Sequence, residues 1–234
     1  AIDALVDGYE RSHDRSYLDR ASTLWESVKR HNHGPTNQYY DDMEWMALAL
    51  LRAYDATGDK QYRVATQILW DDISKGWSDL NGGGISWNKT DLTYKNVPAN
   101  APAAILALRL YRLDEKPTDR ALGEKLLQFV DEELVDPITG DVWDGIRPEG
   151  NIEKNLYTYN YGTYLGACLE YFEITGDRTY LDRALRTADR AMEEFASDDS
   201  AVLRSGGLGD GGLFAGILVR YLAELALAKE LGSK

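Results

Sequence analysis

The sequence predicts an all-α chain of paired helices stacked in two layers, and three observations lead there. A helix–turn–helix unit recurs along the chain. Its helices alternate between two hydropathy types, and almost no segment shows the period-two alternation of a strand. The unit reads GYERSHDRSYLDRA from Gly8, AYDATGDKQYRVA from Ala53 and YFEITGDRTYLDRA from Tyr171, with a degraded copy, LYRLDEKPTDRAL, from Leu110. Its aromatics Tyr9, Tyr54, Tyr111 and Phe172 are 45, 57 and 61 residues apart. That spacing is too long for tetratricopeptide (~34) or ankyrin (~33) units.

In chain order, the first helix opens with Ala1 to Val6, and a turn at Asp14 leads to the second. The second helix carries one apolar stripe of Leu18, Ala21, Leu24, Trp25 and Val28. The third, MALALLRAY from Met46, is apolar nearly all round, and the fourth carries Trp70 where the second has Trp25. The fifth, AAILALRLY from Ala103, is enclosed again; the degraded turn leads to the sixth. The seventh is YLGACLEYF from Tyr164, and the eighth has the stripe Leu181, Ala184, Leu185, Ala188, Met192 and Phe195. The ninth is LFAGILVRYLAELALA from Leu213. A helix apolar all round must be covered on more than one side, whereas a one-faced helix borders water. Alternation of the two therefore implies an inner layer of five helices and an outer layer of four, an α/α barrel, read as one domain over 1–234. The one strand candidate is a small hairpin over Ile138 to Ile146.

Composition narrows the function. With 26 Lys plus Arg against 39 Asp plus Glu, the chain carries a net charge of −13. That charge repels phosphate backbones and anionic membranes, so no nucleic-acid partner is expected. No apolar run reaches the ~18 residues of a membrane span. Cys168 is the single cysteine, so no internal disulfide forms. The opening residues read as helix, not as a signal peptide.

The turns from inner to outer helices are short, whereas the connections from outer to inner helices are long. These run Asn37 to Asp42, Asn81 to Asn100, Asp141 to Asn160 and Arg204 to Gly212, and all four end where inner helices begin. They are therefore expected to converge on one mouth of the barrel, where function concentrates on a rigid scaffold.

Asp41-Asp42 leads the catalytic candidates. A carboxylate pair serves glycoside hydrolysis, and its retaining form needs carboxyls only ~5–5.5 Å apart, which adjacent residues at a helix start supply. The helix N-terminus favours the charged form of one, and repulsion favours protonation of the other. The plainer reading is an N-cap and acidic first turn. Asp71-Asp72 and Asp198-Asp199 repeat the dipeptide but fall late in one outer helix and after another; neither is expected at the mouth. Tyr40, Trp45, Trp87, Tyr157 and Tyr159 offer faces for sugar rings. Asn88, Asn96, Asn100, Asn160 and Asp144 offer hydroxyl partners, and Lys95 and Asp210 complete the candidate set.

Other motifs fail. Gly207 to Gly212 matches G-x-G-x-x-G without a surrounding βαβ unit, and Gly82-Gly83-Gly84 lacks the Lys of a phosphate loop. His13, His31 and His33 make no zinc pattern, and Cys168 reads as core. No metal and no cofactor is expected.

The segments YYDDMEWMALALLRAYDATGD, GGGISWNKTDLTYKNVPAN, NLYTYNYGTYLGACLEYFEITGD and GDGGLFAGILVRYLAELA resemble glycoside hydrolase family 76, the α-1,6-mannanases. The resemblance runs in order over essentially the whole chain. It implies a six-hairpin α/α toroid, here lacking part of the first hairpin and the closing helices. It also implies retaining hydrolysis of α-1,6-linked mannan, endo-acting, by a monomer in a secreted or cell-surface setting. By position, Asp41 would be the nucleophile and Asp42 the acid/base. Met43-Glu44-Trp45-Met46 stands where the family usually has Glu-Gly-Trp-Trp. The alternatives are another α/α-barrel carbohydrate enzyme (an unsaturated-uronide hydrolase or transglycosylase), a non-catalytic mannan-binding protein, or a helical scaffold.

Overall fold

A computed structural model describes residues 1–197 and 202–228. Among these, nine α-helices form: α1 (Ile2–Ser12), α2 (Ser16–His31), α3 (Tyr40–Thr57), α4 (Lys60–Ile73), α5 (Ala101–Asp114), α6 (Pro117–Glu133), α7 (Thr158–Thr175), α8 (Arg178–Phe195) and α9 (Asp210–Leu227).

Three of the hairpin turns use the same atoms. The hydroxyl of Ser12, Thr57 or Thr175 donates to the carbonyl four residues back and accepts the N–H of Asp14, Asp59 or Asp177. Each Asp then accepts the N–H two residues on, at the start of the next helix. Between them the chain reverses through a left-handed residue: His13 (φ 56°), Gly58 (φ 69°) or Gly176 (φ 70°). The fourth turn reverses at Glu115 (φ 54°) and starts α6 with Pro117, whose missing N–H costs nothing at a helix start.

The odd-numbered helices pack side by side in chain order, and each of α2, α4, α6 and α8 lies against the helix before it. The difference in hydropathy explains the arrangement. α5 is sealed on all sides, with every residue from Ala101 to Leu108 fully buried, whereas α8 buries only Leu181, Ala184, Thr187 and Ala191. Trp25 and Trp70 are buried between the layers, as their matching positions predict, and Cys168 is core. α7 and α9 come close enough that a Cβ on Gly162 would sit 2.8 Å from Leu218 Cα, so only glycine fits. At the other edge, Arg220 of α9 pairs with Asp3 and Asp7 of α1, and Arg52 of α3 pairs with Asp3, Asp7 and Glu10.

The hairpin expected over Ile138 to Ile146 forms with shifted bounds. Asp136 accepts the N–H groups of Ile138 and Thr139 and folds the start of this stretch into a turn, flanked by a bridge between Val135 and Val142. A sheet of three antiparallel strands takes up its second half, ordered β1 (Lys95–Asn96), β2 (Trp143–Arg147), β3 (Asn151–Leu156). It ties the second long loop to the third. No helix among the described residues is long and apolar enough to cross a membrane.

Candidate active site

The first three long loops meet at one end, and α9, which follows the fourth, joins them through a ring contact; the contacts can be followed from helix to helix. α3 starts without a side-chain cap, so its first N–H groups need partners. Loop 81–100 supplies one: the Tyr40 N–H donates to the Trp87 carbonyl at 3.0 Å, and Lys89 N–H returns to the Gln38 carbonyl at 3.0 Å. The Tyr39 ring lies 5.2 Å from Trp87, and Trp87 lies edge-on to Tyr94 at 6.2 Å. The Tyr94 hydroxyl sits 2.9 Å from both Asp144 Oδ2 and Glu153 Oε2 in the third loop. Asp144 Oδ1 accepts from Asn160 Nδ2 (3.1 Å) and, more weakly, from the Tyr159 hydroxyl. The Tyr159 ring stacks 4.0 Å from Phe214, one turn into α9.

Asp41 and Asp42 occupy the first turn of α3 at this junction. Asp41 Oδ1 accepts the Asp42 N–H at 2.9 Å, and its Oδ2 accepts the Trp87 indole N–H at 3.1 Å. Asp42 is the more exposed of the two and accepts from Asn37 Nδ2 at 3.3 Å. Burial, then the neighbouring Asp42 charge, pushes Asp41 up to about 6, against the two hydrogen bonds it accepts. Burial also raises Asp42, opposed by the Asn37 amide. One lowered and one raised group was the expectation. Both are raised because loss of water outweighs the helix N-terminus. A third carboxyl, Glu44, is wholly buried one turn below and held well above the usual range, by burial and then by the Asp41 charge. Neither of its oxygens has a hydrogen-bond partner among the described residues.

The other candidates divide in two. Trp87, Trp45 and Tyr159 are half-buried and Tyr157 and Asp210 are exposed, so all keep surface at this end of the fold. Tyr157 lies 5.7 Å from Tyr159. The seven others have their polar groups spent internally or are covered, which is the setting of supports rather than of sugar contacts. Tyr40 is buried, its ring filling the space a Cβ on Gly76 would need. Lys95 Nζ donates to Ser78 Oγ (2.7 Å) and the Gly84 carbonyl (2.5 Å), and burial lowers its pKa to about 8. Asn100 bonds both Ile85 backbone groups and the Asn96 carbonyl. Asn96 accepts from Ala99 N–H, and Asn88 Oδ1 accepts from Thr90 and Asp91. Asn160 is fully buried beneath Asp144. Asp144 itself is nearly buried and holds three donors together.

Tyr39, Phe214 and Glu44 were missed. Tyr39 and Phe214 were readable as an aromatic beside the acid pair and one a turn into an inner helix; Glu44 carried no signal. The comparison dipeptides behave differently from one another. Asp72 does reach the loop end, where its carboxylate pairs with Lys89 of the second loop. Asp198-Asp199 lies outside the described residues. No cluster of His, Cys, Asp and Glu among the described residues is arranged to hold a metal.

A larger cleft of about 950 Å³ opens at the other end, among Arg52, Asp55, Arg109, Glu170 and Glu224. It lies about 15–20 Å along α3 from the acid pair. Its arginines are already paired: Arg52 with α1, and Arg109 with Glu170 and Glu224. It is a charged floor, not a second active-site candidate.

Known proteins share this fold. The alpha-1,6-mannanase GH76A of Salegentibacter sp. HEL1_6 is 42% identical and superposes with a TM-score of 0.93, over 98% of this chain and 70% of that one. An inactive variant of that enzyme, with two consecutive aspartates changed to asparagine, was solved with alpha-1,6-mannotriose. The Lin0763 protein of Listeria innocua is 34% identical, with a TM-score of 0.91 over 99% of this chain and 68% of that one. The mannan endo-1,6-alpha-mannosidase DFG5 of Candida albicans is 24% identical over 220 residues, which are 83% of this chain and 49% of that protein. The chain thus spans about half the length of the curated relatives it matches. The model of glycosyl hydrolase family 76 matches residues 1–231, and the chain belongs to that family.

Proposed function

We propose that the protein hydrolyses α-1,6-linked mannan by a retaining double displacement, attacking within the chain of sugars, with Asp41 as nucleophile and Asp42 as acid/base. The observation that carries the reading is the unequal setting of the two acids. Asp41 accepts two hydrogen bonds, which stabilise its carboxylate against the burial that pushes it up to about 6. Asp42, also raised by burial, is more open to water and is held by one long bond. The mannanase and mannosidase activities of the relatives, and the paired aspartates altered in the inactive Salegentibacter variant, support it.

In the first step an Asp41 oxygen bonds the anomeric carbon as the glycosidic bond breaks, and the Asp42 carboxyl gives its proton to the departing oxygen. The ester that results removes the negative charge beside Asp42. As a carboxylate, Asp42 then takes a proton from water, whose oxygen displaces Asp41 with a second inversion. Trp87, Tyr157 and Tyr159 present faces for the sugar rings, and Asp144 holds Tyr94 and Tyr159 at the cleft wall. We read the odd-numbered helices as the inner wall of an α/α toroid and 1–234 as one domain; the ties from Arg220 to Asp3 and Asp7 support a curved inner layer.

Separate Asp41→Asn and Asp42→Asn variants, assayed on α-1,6-mannan, test the assignment. Each should lose at least about a hundredfold in kcat. Near-normal turnover in either would remove it, as would proton NMR showing the inverted anomer as first product.

A further inference from the structure

The carboxyls buried among the described residues are Glu44, Asp119, Asp144 and Glu170. Three of them have partners. Asp119 accepts the Trp70 indole N–H at 3.0 Å, Asp144 accepts from Tyr94 and Asn160, and Glu170 pairs with Arg109. Glu44 has no partner on either oxygen, although it is wholly enclosed. A buried carboxyl left in this state destabilises the frame around it. Polar groups held at such a cost gather where a reaction uses them.

Glu44 follows Asp41 by three residues in α3, so the two side chains leave the helix on one face, a turn apart. Leu48 and Leu51 continue that face, and both are buried and apolar, so the stripe offers Glu44 no polar neighbour below. The titratable groups around the pair are Asp42 beside Asp41, Tyr159 of α7, whose ionisation the Asp41 charge opposes, and Tyr40, whose ionisation Asp72 and Glu44 oppose. Lys89, 5.7 Å over the Tyr40 ring, is already paired with Asp72. Among the described residues no base pairs with Glu44, and the charge that acts on it is that of Asp41. Burial and that charge keep its proton on. The neutral carboxyl thus carries an O–H that no acceptor claims, one turn from an anion. An acid kept neutral in an apolar site serves as a donor, where its ionised form would only repel.

We propose that protonated Glu44 is a positioning residue for the reaction, its uncommitted hydroxyl supporting the Asp41 carboxylate from within the core. The assignment rests on the mannanase reading and on Asp41 as nucleophile. It adds a third support to the Asp42 N–H and the Trp87 indole. That support counts most in the second step, when Asp41 leaves the sugar as a carboxylate.

Two variants and one spectrum test it. Glu44→Met removes the hydroxyl at similar volume, and Glu44→Gln keeps a donor. On α-1,6-mannan, the acidic limb of kcat/KM should rise by roughly half a pH unit in the Met variant, which is about a threefold loss at pH 5. The Gln variant should keep the wild-type limb. Infrared difference spectra of wild type against the Gln variant should show a protonated-carboxyl band at pH 7, and Asp41→Asn should shift that band. An unmoved limb in the Met variant, or an equal shift in the Gln variant, would overturn the assignment. So would absence of the band at pH 7, or a band indifferent to Asp41→Asn. A wild-type protein inert on mannan would instead remove the mannanase reading, and the infrared arm would still decide whether Glu44 holds a proton and senses Asp41.

Discussion

Trp87 donates its indole N–H to Asp41 Oδ2 at 3.1 Å, across a sequence separation of 46 residues. The bond fastens the second loop to the first turn of α3 and stabilises negative charge on Asp41. It opposes the burial that pushes Asp41 up to about 6. With Asp41 as the proposed nucleophile, its protonation would set the acidic limb of activity. Trp87→Phe keeps the ring and removes the donor, which raises the Asp41 pKa further. The acidic limb of kcat/KM should move to higher pH by about one unit, since a bond to a charged group is worth about 1.5–3 kcal/mol and one pKa unit is about 1.4. A pH–rate profile of the variant checks this.

Asn37 acts with the same sign on the other acid. Its amide donates to Asp42 and lowers a pKa that burial raises. As the proposed acid, Asp42 would carry a proton at the start of the reaction, and its pKa would set the alkaline limb. Asn37→Ala should raise that pKa and shift the alkaline limb upward, by roughly half a pH unit for one long neutral-donor bond. The acidic limb should hold still.

Glu44 predicts a stability effect. Its carboxyl is buried without a hydrogen-bond partner among the described residues and held well above the usual range. In the unfolded chain it ionises near its ordinary value, so the unfolded state releases its proton first. The contribution of Glu44 to stability therefore falls as pH rises above about 4.5. Glu44→Met should be more stable at neutral pH by about 1–3 kcal/mol, with Tm higher by roughly 2–4 °C for each. The gain should be larger at pH 8 than at pH 4; thermal melts at the two pH values decide it.

Gly145 stands in β2 with its α-hydrogen against the facing strand. A Cβ there would lie 2.7 Å from the Lys95 carbonyl oxygen and 2.8 Å from the Tyr94 ring. Gly145→Ala should cost about 1–3 kcal/mol through overpacking. It should also lower kcat, because the β1–β2 pairing positions the adjacent Asp144 and its donor Tyr94. Circular-dichroism melts and steady-state kinetics on one preparation separate the two effects.

The hairpins were legible because their turn chemistry is local. Ser or Thr, a left-handed residue and Asp stand within three positions, so the sequence displays the bonds almost directly. The meeting of the loops was legible as well, since helix alternation fixes which connections share an end. Side-chain direction within a loop was not legible. Lys95, Asn96 and Asn100 look like binding residues, but they turn inward onto Ser78 and Gly84, Ala99, and Ile85 respectively. Nor was most of the sheet: β2 falls in the expected stretch, but β3 reads NIEKNL, too polar to announce a strand, and β1 is two residues long in the distant second loop. Glu44 carried no signal because a carboxylate on a helix is ordinarily solvated, and only the assembled layers show it enclosed.

Three of the hairpin turns carry their own fasteners, each made from a hydroxyl, a left-handed residue and an aspartate in adjacent positions, and the acid pair sits elsewhere, at the start of α3 where a long connection ends. Architecture and appetite are thus written in separate parts of the gene. Mutation can rewrite the connections, changing which glycans are accepted, while the knots that hold the frame stay tied, and an engineer who wants new selectivity should graft connections and leave the turns alone.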